Sequence, residues 1–255
     1  MDCIIDPQCN PRANLSETLF PGVFVSNFIV MQLPAIIFDL DGTLIDSKED
    51  LTLAVNALLD ELGYSGLSVD RVASFIGDGT PKLAERALKY VGAIKSSEDE
   101  KFQNLYQKLL AHYEANLSNK TRIFPGVYSV LGQLSHHPLA VVTNKPHRFT
   151  LPVLEAFDLA HYFTFVAGGD TFPRKKPDPL PLEEAMTSLQ VTAAETLMVG
   201  DGDTDILAGQ AAGVTTVAAL YGNRSPDALH DLNPDYTITH FSELLSIIYQ
   251  NQQDK

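Results

Sequence analysis

The chain has 255 residues, is 45% hydrophobic, and carries 18 Lys and Arg against 32 Asp and Glu, a formal net charge of -14. This suits a globular protein with ample material for a core, in one large or two small domains. The acidic balance disfavours nucleic acid and anionic membranes, both of which demand a basic footprint. The longest apolar stretch, Leu19 to Phe38, is broken by Pro21, Gly22, Asn27, Gln32 and Pro34, so no run suffices to span a membrane.

Residues 1–32 have no clear period and contain Pro7, Pro11 and Pro21. They read as a targeting or regulatory arm, as a disordered tail, or as sequence ahead of a true start at Met31; the last two are preferred. Cys3 and Cys9 both fall here, at a spacing that matches no zinc or redox signature, which suits a reducing, cytoplasmic setting. Asp2 and Asp6 against Arg12 argue against a secretory signal.

The stretch Ile36-Ile37-Phe38-Asp39-Leu40-Asp41-Gly42-Thr43-Leu44 comes next. Its apolar start reads as a buried strand that stops at one carboxylate, with a second two residues on. An unpaired buried carboxylate is costly, so the pair calls for a partner. A divalent cation at the C-terminal edge of a parallel sheet is the expectation, because open α/β folds place their ligands there. A helix follows, capped by Asp46 or Ser47, with Leu51, Val55, Leu58, Leu59 and Leu62 at helical spacing and Gly63 as its stop. Helical patterns continue through Pro81–Val91 and Glu98–Leu117 with no convincing strand. Residues 47–120 therefore read as an all-helical insertion hinged near Asp46 and near Lys120–Pro125.

Beyond Pro125 the pattern alternates. Helices are predicted over Gly126–His136, Arg148–Phe157, Leu180–Leu189, Ile206–Ala212 and Ser242–Tyr249. Strands are predicted over Leu139–Val142, Phe163–Ala167, Thr196–Val199, Thr215–Leu220 and Tyr236–Ile238. The fold class is α/β, a doubly wound parallel sheet with right-handed crossovers, built from 33–46 and 121–255 and carrying the helical cap at 47–120. Four polar clusters fall at strand ends or beside them: Asp39/Asp41, Thr143-Asn144, Lys176-Pro177 and Asp201/Asp205. Basic side chains concentrate nearby at Lys145, Arg148, Arg174, Lys175 and Lys176, which fits a phosphate-binding mouth; Arg174 and Lys175 also read as solvated neighbours.

These residues resemble the haloacid dehalogenase superfamily of phosphatases, through Phe38-Asp39-Leu40-Asp41-Gly42-Thr43-Leu44, Val142-Thr143-Asn144, Lys176-Pro177 and Gly200-Asp201-Gly202-Asp203-Thr204-Asp205. The resemblance implies Asp39 as nucleophile toward phosphorus, forming an aspartyl-phosphate, and Asp41 as the acid and then the base. It implies Mg²⁺ held by Asp39, the backbone carbonyl of Asp41, and Asp201. Asp205 is then an outer carboxylate orienting metal-bound water, or else a helix cap. Asp203 is a solvated first-turn residue. Thr143 and Asn144 would bind phosphoryl oxygens and Lys176 would neutralise charge. Within the superfamily the resemblance is to the phosphoglycolate phosphatase branch, through Thr143-Asn144-Lys145-Pro146, Gly168-Gly169-Asp170 and the loop Gly77-Asp78-Gly79, where Gly77 and Gly79 let backbone approach a small substrate. Asp78 stands where the family often has Asn, and Lys82 and Arg86 offer positive charge or a solvated helix face. The implied reaction is Mg²⁺-dependent hydrolysis of 2-phosphoglycolate or a similar small phosphorylated metabolite. The alternatives are a sugar phosphomutase, or a phosphatase for sugar phosphates, nucleotides or pyrophosphate. No nucleic-acid or membrane partner is expected, and the chain is a monomer or a homodimer.

Overall fold

The computed structural model describes the backbone of residues 33–253 and the side chains of 33–250. The arm, tail and start-site readings of residues 1–32, with both cysteines, lie outside the described residues. In chain order the elements are β1 (Ala35–Phe38), β2 (Ile45–Asp46), α1 (Lys48–Glu61), α2 (Val69–Ala73), α3 (Thr80–Tyr90), α4 (Phe102–Ala115), β3 (Arg122–Ile123), α5 (Val127–Gln133) and β4 (Leu139–Val142). Then follow α6 (His147–Ala156), β5 (Phe165–Ala167), α7 (Leu180–Leu189), β6 (Thr196–Gly200), α8 (Asp203–Ala212), β7 (Thr215–Ala219), α9 (Pro226–His230), β8 (Tyr236–Ile238) and α10 (Leu244–Gln253).

Six strands form one sheet in the order β5-β4-β1-β6-β7-β8, and every neighbouring pair is parallel. The apolar runs are continuous because both faces of such a sheet are covered. Along β1 the side chains alternate: Ile36 and Phe38 join one buried cluster with Val141 and Val199, while Ile37 joins the other with Ala140 and Met198. β1 lies centrally, with β4 on one side and β6 on the other. The chain winds away from β1 in both directions, which opens a crevice at the carboxyl ends of these three strands.

Helices α1 to α4 enclose a cluster of their own, around Leu51, Val55, Leu58, Leu83, Leu105 and Leu109. Phe149 of α6 packs into this cluster, its ring edge-on to Tyr113 of α4 at 5.2 Å. The chain enters and leaves the insertion through a two-stranded antiparallel ribbon, Ile45 opposite Ile123 and Asp46 opposite Arg122. Asp50, in the first turn of α1, is fully buried and ties the two connections together. Its carboxylate accepts from the N–H groups of Lys120 and Thr121 and from the Thr121 hydroxyl, at 2.7 to 3.0 Å.

Several features differ from expectation. The strands β2 and β3 and the five-residue helices α2 and α9 are too short to display a period. Helix α8 begins at Asp203, three residues before its first apolar residue. Ser47 is the N-cap of α1, yet its hydroxyl makes no capping bond; it is committed elsewhere. Among the described residues, no helix is long and apolar enough to cross a membrane.

Candidate active site

Asp39 is the first residue past β1. Its N–H donates to the Val199 carbonyl at 2.9 Å, so the sheet ladder fixes its backbone, and its side chain is buried. The chain then turns sharply back on itself. Gly42 adopts φ +101°, and its N–H donates to the Ile45 carbonyl at 2.8 Å. A Cβ here would run into the Asp201 carboxylate as well as strain the backbone, so glycine is required twice over. The neighbouring Thr43 hydroxyl donates to Asp201 Oδ1 at 3.3 Å.

Asp39, Asp201 and Asp205 converge: each offers a carboxylate oxygen within 4.8 Å of the others, and all three are buried. Lys176 lies among them, its Nζ donating to Asp39 Oδ1 at 2.8 Å, Asp205 Oδ1 at 2.6 Å and the Val142 carbonyl at 2.5 Å. Burial alone would lower the ammonium's pKa, but Asp205 and Asp39 outweigh it and raise it. One cation does not balance three carboxylates. Burial pushes Asp39 up to about 6, against the pull of Lys176, and Asp205 adds to the rise. Burial, then Asp39 and Asp205, lift Asp201 well above the ordinary range even though it accepts the Asn223 N–H at 2.6 Å and the Thr43 hydroxyl. An all-oxygen donor set with surplus negative charge fits a hard divalent cation. Asp205 caps the start of α8, its Oδ2 accepting the Gly202 N–H at 2.9 Å, while its Oδ1 meets Lys176. Asp203 is half exposed and pairs with Arg224 at 3.1 Å.

Asp41 faces a different set of groups. Lys145 Nζ donates to its Oδ1 at 3.0 Å and Oδ2 at 3.1 Å, and the Ser47 hydroxyl donates to Oδ1 at 2.5 Å, which is why Ser47 does not cap α1. Lys145 also donates to the hydroxyl of Tyr113. Burial pushes the Tyr113 phenol up to about 12, so it stays neutral. The Asp41 carbonyl accepts from Asn223 Nδ2 at 3.4 Å. The sequence placed Lys145 among nearby basic residues and in the Thr143-Asn144-Lys145-Pro146 motif but gave it no partner, offered Ser47 only as a helix cap, and did not single out Tyr113 or Asn223. Position past a strand end was the available signal for Asn223, which follows β7.

Thr143, the first residue past β4, is buried, and its N–H donates to the Ala167 carbonyl at 3.0 Å. Asn144 Nδ2 donates to the carbonyls of Lys176 at 3.0 Å and Gly77 at 3.2 Å. Asn144 therefore ties the Lys176 loop to the loop carrying Gly77 and Gly79. Both glycines have positive φ, and a Cβ on Gly79 would lie 2.8 Å from the Asn144 carbonyl oxygen. The same loop is held by Lys175 Nζ, which donates to the Asp78 carbonyl at 2.6 Å. The Asp78 carboxylate pairs with Arg86 and lies 3.8 Å from Arg224, so the helical insertion and the sheet meet across this acid. Of the other basic candidates, Arg174 is exposed and pairs with Asp178 at 2.9 Å, while Arg148 stacks over Phe149. A cleft of about 300 Å³ opens on the seam, lined by Tyr106 and Leu110 from the insertion and by Asn144, Arg148, Asp170 and Lys175 from the sheet side.

Comparison with known proteins bears on what this arrangement does. The sequence pattern of one family, described as haloacid dehalogenase-like hydrolase, matches residues 36–219. The chain belongs to this family. It is 38% identical over 216 residues to a phosphoglycolate phosphatase of Vibrio parahaemolyticus, covering 84% of this chain and 95% of that one. It is 39% identical over 224 residues to a phosphoglycolate phosphatase of Psychrobacter arcticus, covering 86% and 96%. Among solved structures, one described as a predicted phosphoglycolate phosphatase from Haemophilus somnus superposes with a TM-score of 0.79 at 33% identity, covering 86% of this chain and 99% of the other. The family membership and these relatives make the protein an enzyme, a phosphoric monoester hydrolase.

Proposed function

We propose that the protein hydrolyses 2-phosphoglycolate, or a similar small phosphorylated metabolite, with the help of Mg²⁺ and through an aspartyl-phosphate on Asp39. The observation that carries this reading is the placement of Asp39. It is buried, fixed by the sheet ladder, hydrogen-bonded by Lys176 at 2.8 Å, and followed at two residues' remove by a second carboxylate. The names of the relatives support the choice of substrate.

Lys176 occupies Oδ1 of Asp39, which leaves Oδ2 to attack phosphorus in line with the leaving oxygen. The new P–O bond forms as the ester bond breaks, and Asp41 gives the departing alkoxide its proton. In the second half Asp41 takes a proton from water as that water attacks the aspartyl-phosphate, releasing phosphate and restoring Asp39. Two easier displacements replace one hard one. Lys176 offsets negative charge on Asp39 and on the equatorial oxygens throughout, from a fixed position that needs no reorganisation. Thr143, which directly follows β4, would offer its hydroxyl to a phosphoryl oxygen. A divalent cation held by Asp39, the Asp41 carbonyl and Asp201, with Asp205 behind them, would add positive charge for the phosphoryl oxygens. The loop at Gly77–Gly79, resting on Asn144, would serve as the lid contact of a cap formed by residues 47–120 and exclude water from the site.

The test is phosphate release from a panel of small phosphate esters in the presence of Mg²⁺, for wild type beside Asp39→Asn. Release from 2-phosphoglycolate is expected, with the variant slower by at least about 10³-fold. A fully active Asp39→Asn would remove the mechanism, and a wild type inert toward every ester would remove the function.

A further inference from the structure

Asp41 has to protonate the leaving oxygen, yet both of its carboxylate oxygens are already engaged by Lys145 and Ser47. To turn toward a leaving group it must give up Lys145. That lysine side chain is only 1% exposed, and an ammonium deserted in such a place is strongly disfavoured. The two buried lysines differ in this respect. Lys176 meets two carboxylates and a carbonyl, so losing one acid still leaves it paired. Lys145 meets one carboxylate and the neutral hydroxyl of Tyr113, and Asp41 is its sole counter-charge among the described residues. An anion arriving with the substrate would remove the obstacle.

In 2-phosphoglycolate a single methylene separates the carboxylate from the bridging oxygen. A carboxylate seated on Lys145 therefore brings the bridging oxygen beside the acid that must protonate it. We propose that Lys145, oriented by Tyr113, is the specificity residue of this enzyme: its ammonium exchanges Asp41 for the carboxylate of the substrate, so that an ester bearing an acid next to the scissile bond frees Asp41. Tyr113 is a positioning residue supplied by α4, which makes the exchange depend on the helical insertion being seated. This inference rests on the proposed substrate class.

The experiment compares kcat/KM for 2-phosphoglycolate with that for 2-hydroxyethyl phosphate, which has an alcohol in place of the acid. The full chain is used with Mg²⁺, as wild type, Lys145→Gln and Tyr113→Phe. Wild type is expected to prefer the acid. Lys145→Gln should lose about 10- to 100-fold of that preference, the range of a charged hydrogen bond, and Tyr113→Phe several-fold. A purely structural role would slow both substrates alike and leave their ratio unmoved. If Lys145→Gln retains the wild-type ratio, the exchange is overturned while the substrate reading stands. If wild type shows no preference, the acidic substrate itself is wrong. Should Lys145→Gln fail to fold, Tyr113→Phe decides, and an unchanged ratio in that variant counts against the proposal.

Discussion

Asp39, Asp201 and Asp205 crowd three negative charges around the single ammonium of Lys176, and the consequence is measurable. Folding lifts Asp39 from 3.8 to about 6. Between those values the folded chain keeps a proton that the unfolded chain releases, so the contribution of Asp39 to stability falls as pH rises through that window. A divalent cation held by these acids would compete with that proton and restore the lost stability once the carboxylates are ionised. The rise in melting temperature on adding Mg²⁺ should therefore be several degrees larger at pH 7.5 than at pH 5; equal shifts would contradict a cation site built on these acids. At this scale the residues at strand ends were legible in the sequence, because a buried apolar run that stops at a carboxylate leaves a charge that something must balance. The direction in which a side chain points was not. The hydrogen bonds of Asn144 depend on the carbonyls of Gly77 and Lys176, 67 and 32 positions away, and the partner of Lys145 lies 104 away.

Among the elements, the two-residue strands β2 and β3 matter more than their length suggests, because every path between sheet and helical insertion passes through them. Asp50 braces that junction by joining α1 to Lys120 and Thr121. Replacing it with Ala would leave the Lys120 N–H, and the N–H and hydroxyl of buried Thr121, without this acceptor, and should cost about 3 kcal/mol of stability in urea unfolding. A cost below about 1 kcal/mol would show that the brace is dispensable. The long helices and the parallel strands could be read from periodicity and continuous apolar runs. The ribbon could not, since two residues carry no period, and the role of Asp50 was hidden because the helix dipole alone already favours a carboxylate in a first turn. Helix α8 began early for a related reason. Its first turn, Asp203 to Asp205, is polar because it faces the site, so the apolar pattern marked only its later part.

For the molecule as a whole, a net charge of -14 coexists with a centre where Lys145 and Lys176 are buried and Lys175, Arg86 and Arg224 gather around Asp78. Positive charge gathers where an anionic substrate would sit, in a chain whose overall balance is acidic. The parallel sheet predicted from alternating helices and strands is present, and its order places β1, β4 and β6 side by side, so that clusters more than 100 residues apart in sequence share one crevice. The order of the strands across the sheet was not legible, because periodicity orders strands along the chain only. The central proposal is that Asp39 becomes phosphorylated during turnover. Rapid acid quenching of the full chain with 2-phosphoglycolate and Mg²⁺, followed by peptide mass spectrometry, reads that step directly. A transient, hydroxylamine-sensitive phosphoryl group is expected on Asp39 and is expected to be missing from Asp39→Asn. A phosphoryl group on any other residue, or undiminished phosphate release by Asp39→Asn, would contradict the mechanism.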